Sequence, residues 1–331
     1  MENRITARQA RAWSLGALSA PAAMALAGLG WTWVLLGGAL AALLLTAMAR
    51  LSRRTACGIP ETFSLAFGHT GGTIAAILEL LWLLAAASGT ASAVRTAFET
   101  DPGPAAPAVL LLLAALACGK GSRRAAAVGG ILSLVLAILY SIIVLTSLRH
   151  LQPDWCKPWG SAADAGLSAC VCLSPACILF AAQPERGSRR AGWGCVALAA
   201  IAPAALALIT AGCLSPELAG ASRLPLYTLT KSLSVLSVME RFEPLLSVSL
   251  MLGLFLLLTG IVCAAGNLTA LIGGAKQADY GTAAFCLLAF AGSLGADRVP
   301  AVAWAGGAAT FWGILPVLTL VIVDIKKIKK L

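Results

Sequence analysis

A chain of 331 residues with 59% hydrophobic and only 11% charged positions is too apolar for a water-soluble fold, where charged residues usually make up about 25%. The net charge of +10 does not point to nucleic acid, because the 24 Lys and Arg residues fall in short clusters between apolar runs and never gather with aromatics. There is no G-x-x-x-x-G-K-S/T phosphate loop and no H-E-x-x-H zinc motif, and His69 and His150 are the only imidazoles, so the expectation is neither an enzyme nor a metal or cofactor protein.

A bilayer takes roughly 20 apolar residues per helix. Apolar runs at 10–28, 31–50, 72–97, 105–119, 125–147, 162–182, 191–213, 244–272, 281–296 and 300–323 therefore predict an all-α polytopic membrane protein with about ten transmembrane helices. The first run follows Arg4, Arg8 and Arg11 and has the flavour of a secretory leader, but a second apolar run follows at once. It contains Leu18-Ser19-Ala20-Pro21-Ala22. The third run carries Glu79 between Ile77-Leu78 and Leu80-Leu81-Trp82. A charged side chain at the centre of a membrane helix costs on the order of 2.5 to 3.5 kcal/mol on insertion scales, so Glu79 should face the bundle or a wet cavity. There it either binds a ligand ammonium, a cation or a proton, or bonds the hydroxyls of a neighbouring helix.

The sixth run contains Leu173-Ser174-Pro175-Ala176. Proline lacks an N–H and clashes with the carbonyl four residues back, so the first and sixth helices should be interrupted near Pro21 and Pro175. In lipid, irregular backbone survives only where it lines a cavity inside the protein. The paired interruptions thus mark a midplane ligand site at Ser19, Ala20, Pro21, Ala22, Ser174, Pro175 and Ala176, the alternative being two ordinary kinks. Thr259 and Asn267 of the eighth run either line the same site or act as polar glue between helices.

Between the seventh and eighth runs, residues 214–243 hold Leu226, Leu229, Leu233 and Leu236 at helical spacing with Thr228, Lys231, Ser232 and Ser234 polar. This segment reads as an amphipathic helix outside the membrane, either a lid or a connector. Glu240, Arg241 and Glu243 then form an ion-paired outer cap, with carboxylates at the positive end of the next helix. The ten cysteines read as small hydrophobes, except that Cys156 and Cys213 fall near one outer face and could pair.

With the N-terminus cytoplasmic, the inner side collects Arg4, Arg8 and Arg11, then Arg50, Arg53 and Arg54, then Lys120, Arg123 and Arg124, then Arg186, Arg189 and Arg190, then Lys276 and the Lys326–Lys330 cluster. The positive-inside rule is met in nearly every loop, with both termini inside. Ten helices divide as five plus five, residues 1–150 and 151–331 of a single membrane domain. An odd number per half inverts the second repeat, the arithmetic of inverted-repeat transporters.

The stretch Pro225-Leu226-Tyr227-Thr228-Leu229-Thr230-Lys231-Ser232-Leu233-Ser234, followed by Met239-Glu240-Arg241-Phe242-Glu243, resembles the P-x-x-x-x-x-K-S-hydrophobic-S and E-R-F-E signature of spore germination permeases. The opening Ile5-Thr6-Ala7-Arg8-Gln9 is similar to that family's I-S/T-x-R-Q start. These are the B-type subunits of nutrient germinant receptors, a branch of the amino-acid permease superfamily. The resemblance implies an amino-acid permease fold in the inner spore membrane, a small nutrient such as an amino acid as ligand, and A-type membrane and C-type lipoprotein subunits as partners. An unusually Ala-rich body departs from the family. The alternative function on the same fold is an H⁺- or Na⁺-coupled amino-acid transporter, since fold does not imply function.

Overall fold

The structure is a computed structural model, and it describes residues 4–55, 58–96, 103–119, 121–181, 183–184, 191–232 and 243–328. Each apolar run of the sequence is helical. In chain order the helices are α1 (Ala7–Pro21), which passes into a π-helical turn (Ala22–Leu26), α2 (Trp31–Thr55), α3 (Ile59–Thr96), α4 (Ala105–Cys118) and α5 (Ser122–Ser147). Then follow α6 (Ala162–Cys172), α7 (Ala176–Ala181), α8 (Ala191–Leu214), α9 (Pro216–Ala221), α10 (Pro225–Ser232), α11 (Glu243–Gly273) and α12 (Ala275–Ser293). The last apolar run is α13 (Ala301–Gly307), a second π-helical turn (Ala308–Ile314) and α14 (Leu315–Ile328).

Among the described residues, six helical stretches are long and apolar enough to cross a membrane: Trp31–Leu51, Ile59–Arg95, Ser122–His150, Ala162–Ala181, Glu243–Gly273 and Ala301–Lys326. Large apolar side chains face outward on these and on other helices: Ile131, Leu134, Ile138 and Leu145 on α5, Leu112 and Leu116 on α4, and Leu287 and Leu288 on α12 are all exposed. A contiguous apolar surface of this kind needs a non-aqueous neighbour.

The start of α1 is fixed locally. The Thr6 hydroxyl accepts the Gln9 N–H at 3.3 Å and the Gln9 side chain accepts the Thr6 N–H at 3.1 Å, a reciprocal capping box. Just before it, Ile5 is fully buried, and Arg4–Ile5 pairs in parallel with Gln183–Pro184, joining the chain's beginning to the end of its sixth apolar run. The Ile-Thr-x-Arg-Gln start therefore encodes a buried anchor, a cap and its partner.

The third helix begins earlier than the sequence suggests. It reaches back to Ile59 through a break at Gly68, whose φ of 76° is open to glycine and strained for other residues. Ile59, Thr62 and Phe63 are buried there, so this stretch between the second and third apolar runs packs as helix, and His69 lies within α3 on an exposed surface.

At the centre stands α11, which packs against α1, α3, α4, α5, α7 and α12. Small residues let neighbours approach it. A methyl group at Gly253 would lie 2.6 Å from Ser19 Oγ and 3.0 Å from the Ala20 nitrogen, and one at Gly260 would lie 3.1 Å from both Cys177 Sγ and Ile178 Cγ1. Two glycines seven residues apart thus share one helix face, one against the first apolar run and one against the sixth.

Candidate functional site

Pro21 and Pro175 both interrupt regular α-helix, in opposite ways. After Pro21 the helix widens: Ala22–Leu26 winds as a π-turn, and the Ala22 N–H is shared between the Leu18 and Ser19 carbonyls. The Tyr140 hydroxyl of α5 reaches the Ser19 carbonyl at a long 3.4 Å. The first helix is therefore wound more loosely at its proline rather than split into two. Around Pro175 the chain tightens instead. Ser174 N–H donates to Val171, Ala176 N–H to Leu173 and Ile178 N–H to Pro175, each only three residues back, and the turn Leu173–Ser174–Pro175 separates α6 from α7.

The two interruptions are neighbours. The π-turn packs on α6, and α1 packs on α7. Ala20, Ala22, Ser174 and Ala176 are all buried, so the region is closed and filled by small side chains. The two serines differ. Ser19 Oγ donates to the Gly16 carbonyl of its own helix at 2.7 Å, whereas Ser174 Oγ is buried with no partner.

The two polar residues of α11 hold backbone. Thr259 Oγ1 donates to Phe255 of its own helix at 2.8 Å, and its carbonyl accepts the Cys118 thiol. Asn267 Nδ2 donates to the carbonyls of Phe180 and Ala181 at 3.3 and 2.8 Å, holding the last turn of α7 where helix geometry leaves carbonyls without donors.

Glu79 lies on α3, fully buried, with neither carboxylate oxygen hydrogen-bonded. Trp312 of the second π-turn presents its indole to the carboxylate without reaching hydrogen-bond geometry, and Cys177 of α7 flanks it. Beside it, Trp82 stacks on Phe311 at 5.7 Å and meets Trp312 edge-on at 5.5 Å. The same π-turn touches the sixth-run interruption, since a methyl group at Gly313 would lie 3.7 Å from Leu173.

Over the C-terminal end of the first run lies a cap with two parts. One is the expected segment: α10 buries Pro225, Leu226, Leu229 and Thr230, and Pro225 presses on Gly28, with Lys231 exposed and its ammonium 5.4 Å above the Tyr227 ring. Glu243 sits in the first turn of α11, at the helix end that favours an acid. Glu240 and Arg241, together with Leu233 and Leu236, lie outside the described residues. An open pocket of about 430 Å³ adjoins this cap between Tyr227 of α10 and Glu243, Ser247 and Met251 of α11, away from the two interruptions.

The other part of the cap is the connection from α5 to α6, which sequence reasoning did not single out. Trp159 is wedged between Gly30, where any side chain would collide with its carbonyl, and Gly220 of α9. Trp31 Nε1 donates to the Cys156 carbonyl at 3.0 Å, and Gln152 N–H donates to Gly212 at 2.8 Å. The only sequence signal was a tryptophan in a Pro- and Gly-rich stretch preceding the sixth run. Cys156 and Cys213 are neighbours in this region, both as free thiols.

Set beside known proteins, the chain matches no family model and no curated protein.

Proposed function

We propose that this chain is the integral membrane, ligand-binding B-type subunit of a spore nutrient germinant receptor, recognising a small nutrient of the amino-acid class at the meeting point of its first and sixth apolar helices. In this reading ten spans form a five-plus-five inverted repeat in the inner spore membrane, with both termini cytoplasmic and A-type and C-type subunits as partners. The observation that carries the reading is the contact between two differently wound, proline-marked interruptions, lined by alanines and by one buried hydroxyl without a partner. Irregular backbone inside a membrane bundle offers a ligand the hydrogen-bonding groups that regular helices use up themselves. Buried polar atoms without partners are uncommon in finished cores, and Ser174 Oγ is one that a ligand satisfies. The Lys-Ser-x-Ser and Glu-Arg-Phe-Glu resemblance supports the receptor role over the transporter role.

The test uses added bulk. Ala22→Leu and Ala176→Leu should raise the nutrient concentration needed for spore germination by tenfold or more, on the order of the 1 to 3 kcal/mol that overpacking costs. Ala127→Leu and Ala137→Leu, on the outward face of α5, should leave the response unchanged at equal expression. Equal effects in all four variants would remove the site from these helices. Uptake of radiolabelled amino acids into proteoliposomes would favour the transporter role.

A further inference from the structure

Glu79 is the only charged side chain among the buried described residues, and it stands without a counter-charge. The titratable neighbour that reaches it is Cys177 on α7, with Cys263 of α11 next to that thiol. Among the described residues of α2, α11, α12 and α14, no acid or base acts on it. The donors nearest in kind are indoles, and those of Trp82 and Trp312 are themselves buried without acceptors. An ionised carboxylate without a partner is unstable in such surroundings and demands either a cation or a proton.

Space separates the two. Trp82 lies 5.5 to 6.2 Å, ring centre to ring centre, from Trp312, Phe311 and Trp304. A methyl group at Gly89 would sit 2.9 Å from the Trp304 ring, and one at Gly307 would collide with Trp82. An ammonium group or a metal ion with its ligands has to pry this packing apart, whereas a proton needs no volume.

We propose that Glu79 is a proton-binding site, taking a proton from water onto one carboxylate oxygen when the aromatic cluster closes and returning it to water when the cluster opens. The element that opens it is the π-turn Ala308–Ile314. It carries Trp312 against Glu79 and Gly313 against Leu173, so a shift at the sixth-helix interruption is felt at the carboxyl group. The proton site stands whether or not a nutrient binds at the interruptions, and its test uses no nutrient.

The protein, purified and reconstituted in lipid nanodiscs, is titrated with acid while its infrared spectrum is recorded, and is treated in parallel with dicyclohexylcarbodiimide, which adds the O–H of a protonated apolar carboxyl across its C=N bond. The expected result is a carboxylic C=O band present in wild type and missing in Glu79→Gln. Mass spectrometry of wild-type peptides should place the carbodiimide adduct on Glu79, with labelling that falls about tenfold per pH unit above its midpoint, the slope of a single titrating group. Only ionised carboxylate bands across the titration, with Glu79 unlabelled, would overturn the proposal. So would protection of Glu79 by sodium or methylammonium ions at constant pH, which would make it a cation site. The labelling experiment needs no variant, so a Glu79→Gln protein that fails to fold does not remove the test.

Discussion

The two serines near the prolines have similar sequence surroundings and opposite fates, and the difference sets what each substitution should do. Ser19 returns its hydroxyl to Gly16, so Ser19→Ala removes a neutral hydrogen bond contributing about 0.5 to 1.5 kcal/mol. Ser174 has no such bond to lose. Ser174→Ala should leave the thermal unfolding temperature unchanged or slightly raised while weakening the nutrient response, and a fall in that temperature would mark the hydroxyl as structural. Thr6 gives a cleaner case outside the site. Thr6→Ala should cost about 1 kcal/mol through loss of the α1 cap, seen as a lower unfolding temperature in detergent, with Thr6→Ser close to wild type.

Among the helices, packing and propensity pull in opposite directions at Gly253 and in the same direction at Gly130. Alanine is the better helix former at both by about 1 kcal/mol. A methyl group at Gly130 meets nothing within 4 Å, whereas at Gly253 it meets Ser19 and Ala20. Gly130→Ala should therefore be neutral or stabilising, and Gly253→Ala should destabilise by about 1 to 3 kcal/mol, measurable as opposite shifts in thermal unfolding. Equal shifts would mean that α1 and α11 are not in close contact. The same contrast shows what the sequence can say about its elements. Apolar length and proline position are local signals, and they placed the helical runs and both interruptions. That Pro21 loosens its helix while Pro175 tightens its own is carried by no local pattern, and the residues packed beside Pro21's helix, Tyr140 and Gly253, are distant in sequence. Trp159 and Trp312 escaped notice for the same reason, each being defined by a partner far along the chain.

For the molecule as a whole, orientation is the property that charge alone predicts, and α5 offers a direct check. Its 26 residues span about 39 Å, more than the roughly 30 Å hydrocarbon layer, with exposed Arg124 near one end and exposed Asp154 beyond the other. In a background without native cysteines, Arg124→Cys should react with an impermeant thiol reagent only from the cytoplasmic side and Asp154→Cys only from the opposite side. Reaction of both from one side would sink the ten-span topology. The alternation of basic clusters was legible because it is written loop by loop. The pairing of Arg4–Ile5 with Gln183–Pro184 was not, since two residues make no strand pattern.

That short pairing sets a schedule for biosynthesis. Ile5 pairs with Pro184, which is made nearly 180 residues later, about 10 to 35 s at the usual 5 to 20 residues per second. For that interval the first helix exists with its leading anchor unseated. The early half of the chain has to wait, unclosed, until the end of the sixth apolar run arrives to lock it.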